Sequence, residues 1–582
     1  MMKQKKKQTR AVSSWLRKTT EKRKRYIILL TLQQTAISIG SVSYALFFRG
    51  VIDAAAAGER QKVQSWILYF AALTILMAAL GAFGRFLREY AQATLENELK
   101  KRMFQALMDR SYEKVSAVHS GEWMNRLTSD TVVVAEGLTQ ILPGIAGMVI
   151  RLVGALILLI LLYPLFGIAV LAGGILFLCA SALLRGKMKK LHRQVQEADG
   201  NLRVFLQESL ENMLVVRSFG KEERMAEQAG ARMQEHKKKR MQRNHFSNFC
   251  SSGFVIAMNS AYVVGTVVGG YGILNGTLSY GTLIALVQLI GQLQSPLANI
   301  TGFLPQYYAM TASAERLMEA EEYSREREKM EEVPLEEIQS FYEKKLESFA
   351  LEKAVFSYPD ADGQRKLDPV LRIAGEILIP KGSFLALTGP SGCGKSTMLK
   401  ILMCLYPLES GVRWITVDGQ KIPLTQKWRR LFAYVPQGNQ LMSGTIREIV
   451  TFDERMESEN EEVIWQALRI ADAEQFVRNL PGRLDTRLGE RGAGLSEGQM
   501  QRLAIARAVY AGNPVLMLDE ATSALDEQTE QKVLQNLRGM TKKTVFIVTH
   551  RKAVLEFCDL ELCFSENGIT MQQGSGKEKR NE

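Results

Sequence analysis

The stretch Gly389-Pro390-Ser391-Gly392-Cys393-Gly394-Lys395-Ser396 decides how the whole chain reads. It follows the apolar run Phe384 to Leu387 and precedes a helix-forming run from Thr397 to Leu405. That is the strand, loop and helix order a phosphate-binding P-loop requires. Glycines let successive backbone N–H groups turn inward on phosphate oxygens. Lys395 supplies a mobile positive charge for the β and γ phosphates, and the Ser396 hydroxyl suits Mg²⁺. The start of the following helix adds its dipole. Gly389, Ser391, Gly392, Gly394, Lys395, Ser396 and Thr397 are the expected nucleotide-binding positions of this loop, with ATP and Mg²⁺ the expected cofactors.

Further along, Val515-Leu516-Met517-Leu518-Asp519-Glu520 reads as a buried strand ending in two acids. Alone, such a run marks a strand entering a turn. Downstream of a P-loop it completes a hydrolytic site, with Asp519 assigned to the metal and Glu520 to the attacking water as general base. From about Leu346, short β-rich runs punctuated by Gly and Pro alternate with helical stretches, which predicts an α/β domain over residues 346–575 and a polar tail over 576–582.

The amino-terminal half has another character. At roughly 100 to 200 residues per domain, 582 residues exclude a single small binding module. A hydrophobic content of 46% and a mean hydropathy of −0.06 look soluble, but the average hides segregation. Six stretches reach the roughly 20 apolar residues that a membrane helix needs. They lie near residues 26–50, 63–84, 138–162, 165–185, 248–274 and 279–304. The first lacks a small-residue cleavage site and reads as retained. Long Lys- and Arg-rich stretches, Arg85 to Arg126 and Arg185 to Arg243, alternate with short connections poor in basic residues. The positive-inside rule then places both termini, both long loops and the carboxy-terminal domain in the cytoplasm of a multi-pass cell-membrane protein. The helical pattern of the loops predicts that the spans continue beyond the bilayer. Charged residues from Tyr307 to Lys345 predict a linker helix, so the expected order is a basic segment 1–25, a membrane domain 26–310, a linker helix 311–345 and the α/β domain.

In the first 25 residues, eleven Lys and Arg stand against the single Glu21, so +10 of the formal +13 sits in this arm. Beside apolar spans it marks the cytoplasmic face and lipid contact, and no nucleic-acid partner is expected. Six cysteines without CxxC or Cys/His spacing signal neither zinc nor a disulfide framework.

The motif Leu495-Ser496-Glu497-Gly498-Gln499 resembles the signature of the ATP-binding cassette transporters, and with the P-loop and six spans the chain is similar to their exporter-type half-transporters over essentially its whole length. The resemblance implies a multidomain fold: an all-α six-helix transmembrane domain followed by an α/β P-loop NTPase cassette. It implies that Ser496, Gly498 and Gln499, with the N–H groups at that helix start, complete the γ-phosphate pocket of a partner subunit. Tyr358 resembles the aromatic that stacks on adenine, Gln437 the glutamine that joins Mg²⁺ to the membrane domain, and His550 the histidine that senses γ-phosphate. Ser523 to Asp526 looks like the D-loop, and Thr486 to Gly492 like a loop of exporter cassettes. Ser120 to Arg126 and Glu211 to Phe219 are similar to coupling helices. One departure is Glu497, where the family most often has Gly; a carboxylate near a triphosphate is unfavourable unless it points away.

The substrate is the least determined element. Gln288, Gln292, Ser295 and Asn299 share one helical face, which serves equally to line a cavity or to join helices by hydrogen bonds. Arg151 lies inside the third span, where a charge faces a partner or a water-filled cavity. No peptidase-like domain precedes the first span, so a leader-cleaving exporter is not expected. The resulting expectation is ATP-driven export of an amphipathic small molecule, lipid or peptide by a homo- or heterodimer. An exporter-fold importer, or a membrane ATPase that regulates a partner without transport, stays open.

Overall fold

In the computed structural model, residues 2–21, 23–322, 333–358, 369–438, 441–452, 461–489, 494–540, 542–565 and 568–574 are described, without the side chains of 2–9, 177–182, 295, 297–301 and 304. Ser295 and Asn299 of the polar stripe, and the 490–492 part of the exporter-type loop, therefore lie outside what is described. The chain divides into two compact units, Met1–Gln105 with Trp123–Glu322, and Ala106–Glu122 with Tyr323–Glu582.

The first unit is helical. After α1 (Met2–Thr20), six long helices carry the six apolar stretches: α2 (Lys24–Ala56), α3 (Arg60–Met108), α6 (Thr131–Leu162), α7 (Pro164–Glu211), α9 (Glu222–Leu274) and α10 (Tyr280–Glu322). Between them in the chain lie the short α4 (Tyr112–Ser116), which belongs to the second unit, α5 (Ser120–Asn125) and α8 (Met213–Ser218). The 49 residues of α3 extend about 70 Å at 1.5 Å per residue, against a hydrocarbon core of about 30 Å, so apolar and charged halves succeed each other along one helix. Among the described residues, α2, α3, the Ser120–Leu162 stretch and α9 are long and apolar enough to cross a membrane. Their outward faces are apolar too, with Leu68, Ile75, Leu161 and Val263 exposed, as a surface made for lipid requires.

Inside the bundle, small residues let helices approach. A Cβ added at Gly137 would meet the Met310 side chain, and one at Gly144 the Phe303 ring, so α6 and α10 touch where α6 has no side chain. Val42, Ala155, Leu159, Phe166, Leu286 and Ile290 form the apolar core of α2, α6, α7 and α10. A π-turn, Arg126–Asp130, precedes α6. Its Asp130 is only 2% exposed and accepts from Arg316 Nε at 2.8 Å, from the second Arg316 nitrogen, and from Ser313 Oγ at 2.8 Å, tying the start of α6 to α10.

The second unit opens with α11 (Leu335–Lys344), whose Ile338 and Tyr342 are buried; the Tyr342 hydroxyl pairs with Thr544 Oγ1 at 2.7 Å. The charged 311–345 stretch thus contributes its first residues to α10, which ends at Glu322, and its last to α11. An antiparallel sheet follows, built from β1 (Leu346–Phe356), β2 (Leu371–Arg372), β3 (Glu376–Pro380), β5 (Ser410–Val417) and β6 (Gln420–Pro423). A second sheet has the order β13 (Gly568–Gln573), β12 (Leu560–Ser565), β4 (Phe384–Thr388), β11 (Thr544–Val548), β10 (Val515–Asp519), β7 (Phe432–Val435), parallel except at β13. Strands β10 and β11 are buried along their full length, which explains why their sequences read as unbroken apolar runs rather than as alternation. Helices α12 (Lys395–Leu402), α14 (Glu461–Ile470), α16 (Glu497–Tyr510) and α17 (Glu527–Gly539) complete the unit.

Candidate nucleotide site

Register builds the site. Leu387 of β4 pairs Val548 of β11, Val548 pairs Asp519 of β10, and on the other side Leu518 pairs Val435 of β7. These four neighbouring strands end together. The residues just past their ends, Gly389, His550, Glu520 and Gln437, therefore converge at the carboxyl edge of the sheet, where open α/β sheets bind ligands.

The P-loop conformation is fixed by backbone geometry. Gly389, Gly392 and Gly394 have φ of 138°, 82° and 98°. A Cβ at Gly394 would stand 2.6 Å from the Val370 carbonyl oxygen, and one at Gly389 2.5 Å from that of Phe564. These two positions exclude side chains twice, by angle and by space. Gly394 then caps α12, whose first residues are Lys395, Ser396 and Thr397. Lys395 is 5% exposed, and its ammonium donates to the carbonyls of Gly389 at 2.8 Å and Pro390 at 2.7 Å, so the charge is held across the loop. Ser391 lies in the same loop, between Pro390 and Gly392.

Two acids take different environments one residue apart. Buried Asp519 accepts from Ser396 Oγ at 2.8 Å through Oδ1 and from the Tyr434 hydroxyl at 2.8 Å through Oδ2. Burial, followed by the Asp519 charge, pushes the Tyr434 phenol far above its ordinary range, so it stays a donor. Glu520 has a φ of 50°, a left-handed conformation that a non-glycine residue holds only where its surroundings impose it. Its N–H reaches Val548 O at 3.3 Å and its carbonyl accepts from Ser523 N at 3.2 Å. The turn aims its carboxylate between Gln437, whose Nε2 donates at 2.7 Å, and His550, whose Nε2 lies 3.7 Å away.

The signature forms a capping box at the start of α16: Ser496 Oγ accepts from Gln499 N at 3.3 Å, and Gln499 Oε1 from Ser496 N at 2.9 Å. The helix begins at Glu497, because this box satisfies its first turn. Glu497 is exposed there, and an acid at a helix start is electrostatically favourable. A Cβ at Gly498 would lie 3.0 Å from the Ala524 carbonyl, so the signature helix packs on the D-loop. Asp526 caps α17, accepting from Thr529 N at 3.0 Å, and this N–H holds its carboxyl below the usual range.

Tyr358 is half-buried. Its ring meets those of Phe356 and Tyr406 edge-on, and its hydroxyl pairs with Thr397 Oγ1 at 3.0 Å. Tyr406 also receives α4: its ring lies 5.7 Å from that of Tyr112, and its hydroxyl 3.4 Å from Ser116 Oγ. Within the second unit α4 is thus seated on Tyr406, just upstream of the expected Ser120 to Arg126 stretch. No residue of α8 is buried, and Leu214 is 83% exposed.

Sequence reasoning missed three positioning groups. Tyr434 bonds Asp519. Gln501, 2% exposed, donates to Ser523 Oγ at 3.1 Å and accepts from Ala524 N at 3.0 Å. Arg551 donates to the carbonyls of Ser523 and Leu525 and to buried Glu530. Gln501 and Arg551 stand beside quoted motifs, but only the tertiary fold shows that both grip the D-loop.

Known proteins share the order of a membrane region followed by a cassette. Family models describing the ABC transporter transmembrane region and the ABC transporter match residues 26–297 and 376–523, in that order. The chain belongs to the ABC transporter family. A multidrug resistance ABC transporter ATP-binding and permease protein of Lactococcus lactis subsp. lactis (strain IL1403) is 28% identical over 510 residues, covering 87% of this chain and 83% of that protein. An uncharacterized ABC transporter ATP-binding protein of Bacillus subtilis (strain 168), YknU, is 28% identical over 553 residues, covering 93% of this chain and 90% of its own. The structure of a bacterial Atm1-family ABC exporter with ATP bound shares the fold, with a TM-score of 0.73, 23% identity and 97% of each chain covered. This ABC transporter is thus an exporter-type membrane protein that binds and hydrolyses ATP, with a helical membrane domain and one cassette.

Proposed function

We propose that this chain dimerises with a second half-transporter subunit, a copy of itself or a related chain, and exports an amphipathic small molecule, lipid or peptide across the cell membrane with both termini and the cassette in the cytoplasm. The observation that carries the reading is the hydrolytic half assembled in one chain: Ser396 on Asp519, and Glu520 between Gln437 and His550. An assembled hydrolytic half is what ATP-driven transport requires.

Ser396 Oγ and the Asp519 carboxylate set hard oxygens side by side, a donor set that fits Mg²⁺, with the Gln437 amide oxygen as the third candidate. Mg²⁺ supplies charge neutralisation at the β and γ phosphates. Gly389, Ser391, Gly392, Gly394 and Thr397 frame the phosphates, Lys395 binds them, and Tyr358 packs on adenine. Glu520 takes the proton of the attacking water as the new P–O bond forms and the bond to ADP breaks; Gln437 orients that carboxylate and His550 faces the γ-phosphate. Ser496, Gly498, Gln499 and Asp526 present a helix start and a D-loop to the nucleotide of the second subunit. The exposed apolar side chains of α8 support a second coupling contact there. Cassette closure turns the membrane helices outward and hydrolysis resets them.

The test is ATPase activity of the chain reconstituted alone in lipid, with a panel of peptides, lipids and drugs. Hydrolysis stimulated by one class supports a homodimeric exporter of that class. Hydrolysis only after a second subunit is added establishes a heterodimer, and hydrolysis that no solute stimulates or moves contradicts export.

A further inference from the structure

We infer that Arg151 is an anion-recognition subsite within the membrane domain, and that the exported solute carries a carboxylate or phosphate on an apolar body; this rests on the export reading above.

Arg151 lies about two thirds of the way along α6, twenty residues after its first residue, Thr131, and eleven before its last, Leu162. It is partly exposed, and it donates to Ser41 Oγ of α2 at 3.4 Å. Other guanidinium groups of the helical unit have carboxylates: Arg23 has Glu98 at 3.1 Å, Arg49 has Asp53 at 3.4 Å, Arg102 has Glu321 at 2.6 Å, and Arg316 has Asp130. Arg151 meets none among the described residues. The sequence explains why. No Asp or Glu occurs in residues 26–52, 63–88, 137–184, 246–274 or 280–314. The acid before it on its own helix is Glu136, fifteen residues away or about 22 Å along the axis. A second copy of the chain has the same empty spans and brings no acid at this depth either.

An arginine stays protonated, and a lone cation at membrane depth is costly unless an anion or water meets it. The surroundings suit a ligand head. Gly147, one turn before Arg151, abuts the side chains of Gln34 and Ser38, so Gln34, Ser38 and Ser41 at offsets of four and seven put three polar groups of α2 beside this part of α6. One turn on, Gly154 abuts Val42, and Ala155 begins the apolar core. A planar, forked donor beside amide and hydroxyl groups, with an apolar wall adjoining, recognises a carboxylate or phosphate head on a hydrophobic body.

The experiment measures equilibrium binding to the full chain in nanodiscs of uncharged phosphatidylcholine. The probes are matched pairs that differ only in charge: the N-decanoyl, N-naphthoyl and dansyl derivatives of phenylalanine, each with its primary amide. For at least one pair the acid binds about tenfold more tightly than the amide. Arg151→Gln brings the two within about twofold by weakening the acid alone, and Arg151→Lys keeps part of the preference. Absence of an acid preference in every pair, or a preference that survives Arg151→Gln, overturns the proposal. Adding phosphatidylglycerol separates the sources: a lipid headgroup at the site weakens the acid in the native chain and not in Arg151→Gln, whereas a site for free solute is unaffected, and either result keeps the subsite. ATP hydrolysis that depends on Glu520, measured alongside, shows whether a failure belongs to the subsite or to the transporter reading.

Discussion

The two units use charge in opposite ways. In the cassette, charged and polar groups gather at one sheet edge and each holds another: Ser396 on Asp519, Gln437 on Glu520, Arg551 on the D-loop. In the helical unit, charged groups gather on the helix extensions and connections, Arg151 stands alone within its span, and the long apolar faces carry little chemical detail. One unit performs a fixed reaction with many cooperating polar atoms, and the other meets lipid and solute with few. A substitution should therefore act on chemistry in the cassette and on assembly or selectivity in the membrane unit.

The sharpest test of that contrast is Lys395→Ala. Removing a cation held within the P-loop should lower ATP hydrolysis between about a hundredfold and a thousandfold, measured as phosphate release, while the thermal melting of the helical unit is unchanged. An equal loss of both would break the contrast. Asp130→Asn is its counterpart. It leaves Arg316, which is 43% exposed at its side chain, without its ion pair, so the expected cost is about 2 kcal/mol of stability, below that of a fully buried pair. Detergent-resistant melting should fall while ATP affinity stays the same.

Smaller effects refine the account within the cassette. Gln501→Leu removes both grips on the D-loop, at about 1–2 kcal/mol, and should lower solute-stimulated hydrolysis about tenfold with ATP affinity retained. If Gln501 only fills space, the apolar Leu keeps full stimulation. Glu497→Gly, toward the usual family residue, should change hydrolysis by less than about fivefold, because the exposed carboxylate already favours the helix start.

Legibility in the sequence follows the same division. The P-loop, the acids after β10 and the signature were readable because each demands particular residues at particular spacing, and the parallel strands advertise themselves as unbroken apolar runs. The six long helices were readable from hydropathy. Tyr434, Gln501 and Arg551 were not, since a lone tyrosine, glutamine or arginine acquires meaning only when register and packing bring Asp519 or the D-loop beside it. Likewise α4 escaped notice: five residues without a hydrophobic period say nothing until Tyr406 is seen to receive Tyr112 and Ser116. Arg151 was visible as a charge in a span, but the polar groups of α2 beside it were not.

The measurement that tests the central claim most directly is ATP-driven movement of solute into inside-out vesicles containing this chain, with its second subunit if one is required, beside Glu520→Gln. The account predicts that the native protein accumulates solute and hydrolyses ATP, and that the variant binds ATP but loses both activities by at least about a hundredfold. Hydrolysis that survives Glu520→Gln, or accumulation that continues without hydrolysis, would contradict it.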